Sequence, residues 1–269
     1  MVFFSCKERN EHVIWSNTDV GKKRLFGRVK YVQEKVYNVD NKGKKADIYM
    51  NEIWEFDTSG RRIVWSDTFS MEYDTEFSEK VKETYKYDNY GRQIERAGVR
   101  NGVTQKCITK YDASGRTAHS DNFRNGKLYG TDNTRYDGAG NILEDSSFSI
   151  SGALRGIRRY QYDEHGDMIS ESFYDSSGTV AQTSLWTYDA YRNKVRENRI
   201  QMSNHHSMVS KRKYDDKGNL NEEEEFFMGK TEKRVIKYYR FDKMGNWLVK
   251  KEYLDGKLSN IEERVMEYW

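Results

Sequence analysis

The strongest constraint on this chain is a phrase that it repeats. An aromatic residue, Asp, two variable residues and Gly begin at Phe56, Tyr87, Tyr111, Tyr136, Tyr162, Tyr214 and Phe241, as in EFDTSGR, KYDASGR and RFDKMGN. TYDAYRN at Tyr188 keeps Tyr-Asp but has Arg192 in the Gly position. From Asp57 to Asp242 the successive spacings are 31, 24, 25, 26, 26, 26 and 27 residues. Self-similarity at a fixed period of this length marks a repeat protein.

A second, looser turn signal lies between these phrases: Asn101-Gly102, Asn125-Gly126, Ser151-Gly152, Ser177-Gly178, Met228-Gly229 and Asp255-Gly256. Each unit therefore holds two turns and two strands. In Asp-x-x-Gly the carboxylate accepts backbone N–H bonds from residues ahead, and Gly takes the left-handed conformation. Asn-Gly suits a two-residue hairpin with positive φ at both positions. A meander places alternate turns at opposite ends of the sheet, with all Tyr-Asp turns on one rim. About 17 to 19 strands follow from the turns, a width on the order of 85 Å if the sheet stays flat. Sheets that wide curl or split.

The strands fit a thin, half-wet sheet. Aromatics stand two apart before the turn at Trp54 and Phe56, Tyr85 and Tyr87, Tyr160 and Tyr162, Trp186 and Tyr188, and Tyr239 and Phe241, which places each pair on one face. The third residue after Gly is apolar at Ile63, Ile94, Ala118, Leu143, Ile169 and Leu248, but not at Asn221. An aromatic follows eight after Gly at Phe123, Phe148, Tyr174, Phe226 and Tyr253. Three and eight differ by an odd number, so either both faces carry apolar residues or a bulge intervenes. Charged residues make up 33% of the 269 and aromatics 14%, with no proline; this is too polar for a thick core and too aromatic for disorder. The formal net charge of +3 with interspersed signs gives no basic stripe for nucleic acid.

Tandem YDxxGN/R units from about Trp54 to Trp269 resemble the YD repeats of Rhs and teneurin-type proteins. That resemblance implies antiparallel β-hairpin repeats in a long meander sheet, curled, spiral or barrel-like, and carries over no catalytic residue. The closing stretch FDKMGNWLVKKEYLDGKLSNIEERVMEYW resembles the ends of small YD-repeat proteins of Bacteroidetes-type bacteria. MVFFSCKERNE resembles the tail of a lipoprotein signal, with Ser5 before a lipid-bearing Cys6. The expectation is a signal remnant over 1–6 and one all-β domain over 7–269, with regular repeats from about 54 and worn ones before, including NVDNKGKK and MEYDTEFSEK.

No residue set converges on a known chemistry. Asp112, Asp137, Asp163 and Asp215 lie in turns about 10 Å apart, too far to share a calcium ion, so they read as turn caps. His12, His119, His165, His205 and His206 have no zinc or triad spacing. In the run Glu222 to Glu225, a two-residue turn at Met228-Gly229 sets Glu224 opposite Lys233 and Glu223 opposite Arg234. Trp247 is the one candidate ligand residue, as a platform for a sugar ring, with packing against a neighbouring strand as the other reading. A residue repeated eight times is most simply structural, so specificity resides in departures such as Arg192, Asn221 and Trp247. These observations point to a non-enzymatic protein of the bacterial cell envelope, lipid-anchored at Cys6, acting as a scaffold or binding surface for an unidentified protein or glycan. No cofactor, metal or nucleic acid is expected. The competing readings are a carbohydrate-binding module using strand-face aromatics and a hydrolase with convergent carboxylates.

Overall fold

The computed structural model describes residues 25–71, 74–202 and 206–269. Its strands are β1 (Val29–Val39), β2 (Lys45–Phe56), β3 (Arg62–Met71), β4 (Asp74–Tyr87), β5 (Gln93–Arg100), β6 (Val103–Tyr111), β7 (Thr117–Arg124), β8 (Lys127–Tyr136) and β9 (Ile142–Ser149). They continue as β10 (Leu154–Tyr162), β11 (Met168–Asp175), β12 (Val180–Tyr188), β13 (Lys194–Gln201), β14 (His206–Tyr214), β15 (Leu220–Phe227), β16 (Lys230–Phe241), β17 (Trp247–Leu254) and β18 (Lys257–Tyr268). All eighteen belong to one sheet. The all-β expectation is met, and the strand number falls within the range that the turns imply.

The Tyr-Asp turns form because one aspartate satisfies several donors at once. In the turn after β8, Asp137 Oδ1 accepts the N–H groups of Ala139 and Asn141, each at 2.8 Å. Its Oδ2 takes the Asn141 side chain at 2.9 Å. The final Arg or Asn of the phrase is thereby explained, since Arg61 and Arg92 donate to Asp57 and Asp88 in the same way. NVDNKGKK is the same device without its aromatic: Asp40 caps the N–H groups of Lys42 and Lys44. MEYDTEFSEK is not, because Asp74 is the first residue of β4.

The second set of turns divides in two. Asn101-Gly102, Asn125-Gly126, Met228-Gly229 and Asp255-Gly256 have positive φ at both positions, as a two-residue hairpin requires. Ser151-Gly152 and Ser177-Gly178 belong instead to longer turns of the Asp-x-x-Gly kind, closed by Gly152 N–H to the Ser149 carbonyl and Gly178 N–H to the Asp175 carbonyl, each at 3.0 Å. A Ser or Asp three residues before Gly, free to cap, overrides the Ser-Gly pair.

Beyond each Tyr-Asp turn most hairpins carry a bulge. Phe56 pairs with Arg62 and Glu55 with Val64, leaving Ile63 extra. Ile94, Leu143, Ile169, Val195 and Asn221 occupy the same extra position. The β6–β7 pair has none; there Asp112 N–H reaches one residue further, to the Thr117 carbonyl. The odd offset has both causes, a bulge at the third residue and apolar groups on both faces. Trp186 pairs with Glu197, whereas Phe148, Tyr174 and Phe226 pair with Thr131, Ile157 and Val209 on the opposite face. We call the side of Trp54 in one unit and Trp186 in the other the tryptophan face.

The chain divides into two compact units. The first comprises the described residues up to 104 with 237–252 and 258–269, and the second comprises 105–236 and 253–257. In the first, β1 pairs with β2 on one side and with β18 on the other. Its core is Leu25, Val29, Val32, Trp54 and Phe56, with Trp65, Met266 and Tyr268 packed against it. In the second, β6 to β16 pair in sequence, and the buried residues are chiefly Ser120, Asn122, Ser184, Glu197 and Ser210.

Candidate functional site

Three groups of side chains have the chemistry to act: the repeated rim, and one charged network on the tryptophan face of each unit.

At the rim, the tyrosines of the phrase tie each hairpin to the strand before it. Tyr162 Oη donates to the Ile142 carbonyl at 2.9 Å, Tyr188 to Met168 at 2.7 Å and Tyr214 to Lys194 at 2.9 Å. Tyr87 makes the equivalent bond to Arg62 at 2.7 Å. Each acceptor belongs to the residue that opens the strand after the preceding Tyr-Asp turn. The repeat spacing held this information, since these donors and acceptors lie 20 or 25 residues apart. Arg192 stands in a left-handed conformation, φ 63°, that Gly fills elsewhere. Its guanidinium forks onto Asp167 at 2.7 and 2.9 Å and reaches the His165 carbonyl at 2.9 Å. The departure from Gly thus binds one turn to the next.

These bonds occupy the aspartates. The Asn141 side chain and backbone hold the Asp137 carboxyl below its ordinary value, the Asp167 N–H does so for Asp163, and the Ser114 hydroxyl for Asp112. Hydrogen bonds to the charged form cause each shift. Among the described residues, no three His, Cys, Asp or Glu side chains come together in a metal-holding group. His119 contacts Asn133, 2.8 Å from its Oδ1, and His165 sits exposed in its turn.

In the second unit a ladder of ions crosses four strands. Arg199 of β13 holds Glu197 at 2.8 Å, and Arg212 of β14 joins Glu197 at 3.3 Å to Glu223 of β15 at 2.7 Å. Arg234 of β16 completes it, 3.0 Å from Glu223. On the reverse of the same strands Glu222 lies between Lys213 at 2.6 Å and Lys233 at 3.1 Å. Glu223 does oppose Arg234, and Glu224 opposes Lys233. Lys194 stands 4.5 Å from the Trp186 ring centroid. Nearer β6 the face is neutral or acidic: Thr109 meets Ser120, Asn122 donates to Asp132, and Thr134 donates to Asp145.

The first unit holds two carboxyls in contact. Glu34 of β1 and Glu262 of β18 are both buried and hydrogen-bonded to each other. Arg264 reaches Glu34 at 2.7 Å, and Lys250 reaches Glu262 at 2.8 Å and Glu252 at 3.3 Å. Burial and the negative charges of Glu34 and Glu252 outweigh Lys250 and push Glu262 up to about 8. Glu34 moves the other way: burial opposes ionisation, but Arg264, the Glu262 hydrogen bond and Lys250 hold it low. The pair shares one proton near neutral pH, the arrangement from which acid–base enzymes are built. Here both carboxyls are buried and each is held by a cation, Arg264 on Glu34 and Lys250 on Glu262.

Trp247 belongs to the same network. It is buried, with the Arg264 guanidinium 3.5 Å and the Lys250 ammonium 4.8 Å from its ring centroid, and Tyr238 beside it at 6.1 Å. Of the two readings of Trp247, these contacts favour packing, with cations over the ring. Asn221 is a bulge residue whose Oδ1 finds no hydrogen-bond partner among the described residues. Cys6, His12 and His205 lie outside the described residues. Sequence reading missed Glu34 and Glu262 because nothing local connects positions more than 200 residues apart.

No family model matches the chain, and no curated protein sequence matches it. Among solved structures it is similar to a porin-like protein from Bacteroides uniformis, at 9% identity over 89% of this chain and 98% of that one, with a TM-score of 0.51. What the two share is the fold. A porin-like protein from Bacteroides vulgatus aligns over 87% of this chain and 97% of its own at 12% identity, with a TM-score of 0.27.

Proposed function

We propose that this chain is a non-enzymatic YD-repeat protein of the bacterial cell envelope, lipid-anchored at Cys6, serving as a water-exposed scaffold with a binding surface. One observation carries the reading: in β14 to β16 both faces of the sheet are charged in mid-strand. Arg212, Glu223 and Arg234 lie on the tryptophan face, and Lys211, Glu224 and Lys233 on the other. A lipid-facing strand needs an apolar band about 25 Å tall, and a Lys or Arg at mid-bilayer costs about 2–4 kcal/mol. Neither face of these strands offers such a band. The fold likeness to a porin-like protein therefore supports a shared architecture and not a shared pore. The buried Glu34–Glu262 pair and the bonded aspartates favour a structural role over catalysis, and the cations over Trp247 favour packing there over a sugar platform.

The test is fractionation of the native host expressing wild type and Cys6→Ala, with conductance of the purified protein in planar bilayers. Envelope recovery lost in Cys6→Ala, without conductance, is the expected result. Cytosolic wild type, or stable single-channel currents, would refute the reading.

A further inference from the structure

On the face opposite the tryptophans, the second unit changes character along its strands. Toward the Tyr-Asp rim the paired positions are ionic, with Arg135 opposite Glu144, Arg196 opposite Lys211 and Lys211 opposite Glu224. Toward the other rim they are mostly uncharged, with Phe148 opposite Thr131, Ile157 opposite Tyr174 and Val209 opposite Phe226; the exceptions at β6 to β8 are Lys106 opposite Phe123 and Asp121 opposite Thr131. The strands are amphipathic along their length as well as across the sheet.

The tips at that rim extend the apolar belt into solvent. Phe227 pairs with Lys230, so Met228-Gly229 is the two-residue turn, and Met228 is 63% exposed. Its φ is 49°, matching Asn101 and Asn125 in the equivalent turns. Asn tolerates that conformation and Met rarely adopts it. A strained and exposed methionine gains nothing from the fold that Asn would not give, which directs attention to a contact outside it. Phe226 beside it is 46% exposed, and Ile150, in the β9–β10 turn, is 70% exposed. Exposed cations flank these tips: Arg124 and Lys127 face each other across the β7–β8 turn, and Lys230 follows Gly229. Of the acids nearby, Asp175 is engaged in capping its own turn and Asp255 accepts the Lys233 N–H, and Asp255 and Glu232 are exposed.

Two residues of strand above the tips span about 7 Å, and amphipathic segments enter the headgroup–acyl boundary by about 5–10 Å. We propose that the tip rim of the second unit docks on an anionic lipid surface, with Met228, Ile150 and Phe226 entering the boundary and Arg124, Lys127 and Lys230 meeting the phosphates. A largely uncharged belt ringed by cations at its outermost points complements that surface. The inference rests on the envelope reading for access to such a surface and gives that reading a second attachment besides Cys6.

The test uses the full chain as Cys6→Ala, so that no lipid is attached, in flotation with vesicles of phosphatidylcholine and phosphatidylglycerol in equal parts, and with phosphatidylcholine alone. Flotation with the anionic vesicles and little with the neutral ones is expected. The double variant Met228→Asn with Ile150→Asn lowers partitioning by about tenfold or more through lost apolar burial. Met228→Asn recreates the Asn125-Gly126 turn, so an unchanged thermal transition verifies folding. Absence of flotation with anionic vesicles, or equal flotation of the double variant, overturns the proposal. So does a lipid-free dimer that the double variant abolishes, which reassigns the tips to a second copy. Because the protein carries no lipid, these outcomes are independent of whether fractionation upholds the envelope reading.

Discussion

The two units solve one problem with opposite materials. In the first, Val29, Val32, Trp54 and Phe56 form an apolar core, whereas in the second the buried positions include Ser184, Ser210 and Glu197, and an Arg–Glu ladder crosses four strands. The second unit has a turn every dozen or so residues to set its register, so each strand finds its neighbour locally and its face is free to be polar. The apolar core lies where β1 meets β18, a pairing that no turn enforces. Burial supplies the drive for a contact that local chemistry does not specify.

That contrast is breakable. Trp54→Ala should give the largest loss, about 3–5 kcal/mol, as expected for a buried aromatic; a denaturant midpoint little changed would dissolve the distinction. Glu223→Ala, which leaves Arg212 and Arg234 without their shared partner, should cost about 2 kcal/mol, short of a fully buried pair because Arg234 is partly exposed. At the rim, Gly115→Val should cost about 1–2 kcal/mol by forcing a β-branched residue to φ 69°, while Asp112→Asn should cost under about 1 kcal/mol because the amide oxygen still caps.

A fourth experiment probes the proton between Glu34 and Glu262. The folded Glu262 value, about 8, lies above the ordinary 4.5, so the folded state holds an extra proton between them. Its contribution to stability is therefore full below 4.5 and is lost as pH rises toward 8. Glu34, shifted down, contributes above its ordinary value and loses that contribution as the solution is acidified. Glu262→Gln keeps a donor for Glu34 and cannot ionise, so its unfolding midpoint should lose the alkaline decline that wild type shows. Matching pH profiles would remove the shared proton. Ser210→Ala should show the least effect, within about 0.5 kcal/mol, since its buried hydroxyl has no hydrogen-bond partner among the described residues.

What the sequence reveals follows the same division. Asp-x-x-Gly located the Tyr-Asp turns, and the run Glu222 to Glu225 revealed its cross-strand partners, because both are set within one hairpin. The Ser-Gly turns were misassigned in type because Ser149 and Asp175, three residues earlier, decide the geometry. Asp74 carries the phrase's letters without its Gly, and lacks the turn. Trp247 looked unusual in its slot, but its covering by Arg264 arises from β18, a strand to which no repeat offset points. The Glu34–Glu262 pair was invisible for the same reason.

The pairing of β1 with β18 also sets an order of events. Residues 29–39 leave the ribosome well before their partners at 257–268 exist, while every hairpin in the second unit can pair as soon as it emerges. Until β18 is made, one side of β1 is an open edge of unpaired backbone groups, the kind that recruits foreign strands. Such distant closure is also the slow step in forming a sheet. A chain without β18 would keep almost all its hairpins and gain an adhesive flank, so the soundness of the fold depends on that one distant strand.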